Sequence, residues 1–204
     1  SDRKQKKGLG MNTVIFDVGK VLVDYDWKTY LDSFGYEEDI REKVADAVFR
    51  NEDWVEGDRG IVSTQEWLQL FIENEPSCEA QIREVFAGFG GTIRPLSYTE
   101  AWIRYFRDQG YKIYYLSNFS YELHRQAYEK LKFLDTFDGG IFSWKEKCIK
   151  PDEQIYRLLL KRYSIDPAEA VFYDDRPENV ETAQRLGIKG IVFHKDIPLQ
   201  MMEK

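Results

Sequence analysis

Thr13-Val14-Ile15-Phe16-Asp17-Val18-Gly19-Lys20-Val21-Leu22 is the stretch that decides the fold of this chain. Its first four residues are apolar or β-branched and read as a short buried strand. Asp17 closes the run. An aspartate after an apolar run is common by itself, but three more pieces of one site lie far downstream. These are Leu116-Ser117-Asn118, Lys150-Pro151, and Asp174-Asp175 after Ala170-Val171-Phe172-Tyr173. Three of the four pieces follow a stretch that reads as a strand. Together they offer a nucleophilic carboxylate, a hydroxyl, an ammonium and an acidic metal site, which is what magnesium-dependent phosphoryl transfer requires.

Outward from that stretch, the chain changes character twice. Asp26 can cap a helix whose Trp27, Tyr30, Leu31 and Phe34 fall on one face, with Gly35 as its stop. From Glu37 to about Phe89 every periodic segment is helical, and Ser63-x-x-Glu66 is a capping-box candidate. After Pro95 strands and helices alternate. Ser97-x-x-Glu100 can cap a helix carrying Trp102, Ile103 and Phe106. Strand Lys112–Leu116, helix Tyr121–Leu131, a short strand Gly140–Phe142 and helix Asp152–Tyr163 follow. Strand Ala170–Tyr173, helix Glu178–Leu186 after Pro177, and strand Ile188–Phe193 complete the pattern. Alternation of this kind predicts an α/β fold: a Rossmann-like parallel sheet with helices on both faces and an inserted all-helical cap. The expected division is a core of 11–23 and 91–204, a cap of 24–90, and a flexible tail or cloning remnant over 1–10 ahead of a native Met11.

Composition narrows the function. A chain of 204 residues suits one domain with a modest insertion, and 43% hydrophobic residues with 15% aromatics supply a core, which excludes a disordered chain. A net charge of −7, with no basic stripe beyond the N-terminal tail, argues against nucleic-acid binding. No apolar run approaches the ~20 residues that span a bilayer, and no secretory signal is present. Cys78 and Cys148 match no zinc spacing and read as inert thiols, consistent with a reducing, cytoplasmic location. A monomer or a dimer is expected.

The four pieces, in order and on the right elements, resemble the motifs of the haloacid dehalogenase-like hydrolase superfamily over Thr13 to His194. The chain is most similar to the IA-like branch, with a small helical cap after the first strand and an Asp-Asp-Arg fourth motif; that branch includes bacterial glucose-1-phosphate phosphatases. The resemblance implies that Asp17 is the nucleophile and forms an aspartyl-phosphate that water cleaves. It implies a magnesium ion held by Asp17, the Gly19 carbonyl and Asp175, with Asp174 behind them or as an alternative ligand, because adjacent side chains on extended backbone point opposite ways. Ser117, with the Asn118 amide, would hold a phosphoryl oxygen, and Lys150 would neutralise charge. Arg176 and Asn179 would tune the metal loop. Plain alternatives stand beside each role: a loop cap for Asp17, a Ser-Asn turn, a solvated lysine, and a helix N-terminal charge interaction for the acidic pair.

One expected group is missing. Family phosphatases carry a second aspartate two residues after the nucleophile, which protonates the leaving oxygen; here that position is Gly19. General acid–base catalysis contributes typically ~10²–10⁴-fold, so a substitute is needed unless the leaving group is good, as an anomeric sugar phosphate is. A cap residue or water held by the metal could take its place, and Asp24 and Asp26 are further candidates, though a turn and a helix cap explain them. Lys20 either faces solvent or touches the substrate anion. In the cap, Glu56-Gly57-Asp58-Arg59-Gly60 reads as a polar break, a loop that could close over the site. Trp54 would stack on a sugar ring and Arg59 grip an anion, or else Trp54 packs in the core and Arg59 makes a surface ion pair. The leading expectation is a phosphatase acting on a small phosphorylated metabolite, a sugar phosphate first. A 2-haloacid dehalogenase is the first alternative, disfavoured by Asp174-Asp175 because that branch needs no metal. A phosphate- or partner-binding module that lost turnover is the second.

Overall fold

The computed structural model describes residues 10–204; of the expected tail over residues 1–10, residues 1–9 lie outside them. β1 (Thr13–Phe16) alternates its side chains between two cores. Val14 and Phe16 face one cluster, and Ile15 faces the other. A strand buried on both faces must be central and covered twice by helices. That is its place in the sheet. After β2 (Val23–Tyr25) come α1 (Trp27–Asp32), α2 (Glu38–Ala47), α3 (Trp54–Arg59), α4 (Thr64–Asn74) and α5 (Glu79–Ala87). The chain then returns through β3 (Ile93–Pro95), α6 (Thr99–Asp108), β4 (Lys112–Ser117), α7 (Tyr121–Gln126), α8 (Tyr128–Leu131), β5 (Gly139–Phe142) and α9 (Ser143–Glu146). α10 (Glu153–Arg162), β6 (Ala170–Asp174), α11 (Pro177–Arg185), β7 (Lys189–Val192) and α12 (Asp196–Met202) complete it.

The main sheet has the order β5-β4-β1-β6-β7 and is parallel throughout. The chain steps outward from β1 to β4 and β5, then crosses to β6 and β7. Strand order therefore reverses at β1, and the crevice beyond its carboxyl end is where an open α/β sheet takes its ligand. Asp17 stands at that end. Phe16 anchors the strand beneath it, with the Trp102, Phe106 and Tyr173 rings 4.8, 5.6 and 6.0 Å from its own. Burying a ring of this size contributes about 1.5–3 kcal/mol. On the opposite face Ile155, Tyr156, Leu159 and Ala183 of α10 and α11 cover Ile15 and Phe172.

The helical insert α1–α5 leaves and re-enters through a two-stranded antiparallel ladder, Val23 opposite Pro95 and Tyr25 opposite Ile93, which the sequence pattern did not announce. Asp24 sits in this ladder and Asp26 caps α1 by accepting from the Thr29 N–H, and neither lines the cavity above Asp17. The Ser63–Glu66 capping box is formed in both directions. The expected box at Ser97 is not. α6 starts one residue later than that box requires, because the Thr99 hydroxyl donates to the Leu22 carbonyl at 2.6 Å and Glu100 pairs with Arg104. The single helix expected over Tyr121–Leu131 breaks at Ala127. There the Gln126 amide is taken by the cap stem, donating to the Phe86 carbonyl and accepting from the Gly90 N–H. Residues 54–59 are helical rather than a polar break: Gly60, left-handed at φ 69°, ends the helix instead of opening a loop. Both cysteines are buried and free.

Candidate active site

Three strand ends and one loop converge on the site. Asp17 follows β1, Ser117 ends β4, and Asp174 ends β6 with Asp175 after it. Lys150 arrives from the α9–α10 connection, and its ammonium is the hub. Nζ donates to Asp17 Oδ1 at 3.0 Å, to Asp174 Oδ2 at 2.7 Å and to the Leu116 carbonyl at 2.8 Å. All three of its protons are used, and the side chain is sealed from solvent. Burial alone would push its proton off. Asp17 and Asp174 outweigh that and hold its pKa above the ordinary lysine value.

Asp174 is fully engaged by protein. Oδ2 also accepts from Asn179 Nδ2 at 3.0 Å, and Oδ1 accepts the Arg176 N–H at 2.9 Å. Asn179 is itself fixed, because its carbonyl takes the Tyr156 hydroxyl at 2.7 Å. Asp175 is half-buried and lines the cavity above, while Asp174 lies behind it with no exposed surface.

Asp17, Asp174 and Asp175 bring one carboxylate oxygen each within 4.8 Å of one another. Burial, then the Asp174 charge, raises the Asp17 pKa well above the carboxylate value; Lys150 opposes and Asp175 adds to the rise. Three clustered carboxylates against one ammonium leave an excess of negative charge in a buried place. All-oxygen donors with that surplus fit a hard divalent cation such as magnesium. Ser117 Oγ has no hydrogen-bond partner despite full burial. An orphaned hydroxyl beside such a centre fits a missing oxyanion.

The cavity above the carboxylates has a volume of about 320 Å³. Its floor is polar: Asp17, Gly19, Asn118, Lys150 and Asp175. Its cap-side wall is Tyr25, Trp27, Phe49, Trp54 and Val55, with Asp58 among them. Lys20 is exposed at φ 66° and lines the cavity. Trp54 likewise does two things. It lines the cavity, and its ring packs 5.2 Å from both Trp67 and Phe89. Arg59 does not reach the cavity. On a helix it points ~100° away from Asp58, and it faces Glu56 at 3.6 Å instead. The Asn118 side chain grips the Lys150 backbone, donating to its carbonyl and accepting its N–H.

Asp58 is the site residue that sequence reasoning passed over. It is 8% exposed, and burial raises its pKa to about 7 against the pull of Arg176, Lys150 and Arg59. The usable signal was Trp54 and Asp58 at i and i+4, which share one helix face. Reading 56–60 as a loop hid it.

A family model described as haloacid dehalogenase-like hydrolase matches residues 11–187. A sesquiterpene phosphatase of Aspergillus oryzae is 28% identical over 177 residues, spanning 87% of this chain and 87% of that protein. A phosphorylated carbohydrates phosphatase of Thermotoga maritima is 39% identical over 70 residues, 33% of this chain and 32% of that protein. Among solved structures, a HAD family enzyme of Bacteroides thetaiotaomicron in complex with magnesium and inorganic phosphate shares the fold. Its TM-score is 0.72 at 21% identity, covering 91% of this chain and 95% of that one.

Proposed function

The chain belongs to the haloacid dehalogenase-like hydrolases, and we propose that within them it is a magnesium-dependent phosphatase of small phosphomonoesters. The observation that carries this reading is the cluster of Asp17, Asp174 and Asp175 around a buried Lys150, with the unpaired Ser117 hydroxyl beside it. A haloacid carboxylate would need no such acidic cluster. The similarity to two proteins named as phosphatases supports the same class.

Asp17, Asp175 and the Gly19 carbonyl would hold the magnesium ion, whose double charge offsets the carboxylates and the incoming phosphoryl oxygens. Asp17 attacks phosphorus and becomes an aspartyl-phosphate. Lys150 keeps the other Asp17 oxygen in place and balances its charge. The Ser117 hydroxyl donates to a phosphoryl oxygen. Asp174 holds Lys150 and Asn179, so it acts by positioning rather than by contact.

The organic part of the ester lies against the cap. That wall offers aromatic faces and few hydrogen-bonding groups, which favours an apolar-faced leaving group. A sugar phosphate is the second reading: Trp27 and Trp54 present ring faces on which a sugar can stack, with Asp58 to take a hydroxyl.

Phosphate release from a panel of sugar, alkyl, prenyl and aryl phosphates, with magnesium and with chelator, tests the proposal. Metal-dependent release that Asp17→Asn abolishes is expected. Release indifferent to that substitution would sink the nucleophile assignment. Absence of release across the panel from a folded, magnesium-loaded chain would favour a binding module.

A further inference from the structure

Gly19 leaves the nucleophile without a proton donor beside it, and the cap supplies a carboxylate to the same cavity. Asp58 lies on α3, between two glycines that fix the helix. Gly57 sits flat against Trp67, where an added Cβ would come within 2.5 Å of the indole. Gly60 sits against the Trp144 backbone of α9, where a Cβ would come within 2.1 Å of the carbonyl oxygen. The first contact holds α3 within the cap and the second docks it on the core. Between them Asp58 is nine-tenths buried yet lines the cavity above Asp17. Its carboxylate has no hydrogen-bond or ion-pair partner among the described residues, and only longer-range charges act on it. A buried carboxylate without a protein partner is costly, and nothing in the packing of the cap requires one there.

We propose that Asp58 is the proton donor and acceptor of the reaction, taking from the cap the role that Gly19 cannot fill; this rests on the phosphatase reading above. As Asp17 attacks phosphorus, the bond to the leaving oxygen breaks and its electron pair stays on that oxygen. The Asp58 carboxylic acid gives its proton there, releasing the alcohol. The Asp58 carboxylate then takes a proton from the water that attacks the aspartyl-phosphate. The Asp17–phosphorus bond breaks, hydrogen phosphate leaves, and both side chains return to their starting forms. Groups facing Asp58 are compatible with this cycle. Arg176 and Lys150 draw it toward the carboxylate, Arg59 does so weakly, and Asp17, Asp175, Lys20 and Tyr25 line the same space. Burial dominates these charges and keeps the proton available near neutrality.

The discriminating experiment is a leaving-group series with Asp58→Asn. p-Nitrophenyl phosphate needs almost no protonation of its leaving oxygen, whereas glycerol phosphate needs it fully. The variant should lose about 10²–10⁴-fold in kcat/KM on glycerol phosphate and little in kcat/KM on p-nitrophenyl phosphate, because kcat/KM reports phosphoryl transfer to Asp17 alone. The aryl ester should still give a burst of one nitrophenolate per chain, which shows that the variant is folded, followed by slow turnover because the water has lost its base. The alkaline limb of the wild-type kcat/KM profile on glycerol phosphate should vanish in the variant, and Asp58→Glu should recover part of the rate. An equal loss of kcat/KM on both substrates, or a raised KM with kcat unchanged, would overturn the proposal in favour of a substrate-binding Asp58. Wild-type protein that releases phosphate from neither ester with magnesium would overturn the phosphatase reading, and this inference with it.

Discussion

The Asn118 side chain holds the Lys150 peptide from both sides: Nδ2 donates to the Lys150 carbonyl at 2.9 Å, and Oδ1 accepts the Lys150 N–H at 2.8 Å. The residue after the Ser117 hydroxyl thus sets the aim of the ammonium that binds Asp17. Replacing Asn118 by alanine removes both bonds and leaves two backbone groups unpaired, at about 1–3 kcal/mol each if they stay dry. Thermal unfolding should register that loss. Steady-state kinetics should show kcat falling more than KM rises, because Lys150 is displaced from Asp17. A kcat that survives while stability drops would show that the clamp serves the fold alone.

Lys150 itself carries the largest electrostatic debt of the site. Lys150→Met leaves Asp17 and Asp174 facing one another with no cation between them. Removing one partner of a buried ion pair costs about 3–5 kcal/mol. The variant should therefore unfold at lower denaturant near neutral pH. Its carboxylates can relieve the strain only by taking up protons. The folded Asp17 pKa, already above the ordinary carboxylate value, then rises further, so acidification should narrow the gap to the wild type. Equal denaturation midpoints at neutral pH would contradict the hub role.

Ser117→Ala should separate stability from function in the opposite sense. The hydroxyl is buried without a partner, so its removal costs no protein hydrogen bond, and the free chain should be as stable as the wild type or slightly more so. A hydrogen bond to a charged group is worth about 1.5–3 kcal/mol. The variant's kcat/KM should accordingly fall on the order of 10- to 100-fold. Unchanged kcat/KM would remove Ser117 from the phosphate cradle.

Much of this site was legible from the sequence because strand ends are legible. Each apolar run predicts a buried strand, and in a parallel sheet all carboxyl ends lie on one side. Asp17, Ser117 and Asp174 could thus be brought together without coordinates. The cap was harder. Helical periodicity located its helices but not how they face the core. Asp58 was hidden because Gly57 and Gly60 read as loop formers. In the structure they are the positions where Trp67 and Trp144 approach too closely for any side chain. The β2–β3 ladder was missed for a related reason: three residues per strand leave no period to read, and the pairing is fixed only when Val23 meets Pro95 across the whole insert. Asn118 gave a turn signal, and nothing local says that its amide is spent on a residue of another loop.

Asp58 gives the fold a pH dependence that can be measured without substrate or metal. Its pKa rises from the usual 3.8 to about 7 on folding. Between those values the folded chain holds a proton that the unfolded chain has released. Stability from this group is therefore full below about pH 4 and is lost as pH rises toward about 7, by up to about 4 kcal/mol at 1.36 kcal/mol per unit. Asp58→Asn keeps the shape and removes the titration. The variant and the wild type should unfold at similar urea concentrations near pH 4. At about pH 8 the variant should be the more stable of the two, even though it turns over alkyl phosphates more slowly. Such an exchange is characteristic of a group kept for chemistry at the expense of the fold. Asp17 also titrates upward in the folded chain, but it does so in both proteins, and the difference between them cancels it. Parallel urea curves across the whole pH range would show that Asp58 is ionised as readily in the fold as in water, and would remove the reservoir from which its proton is drawn.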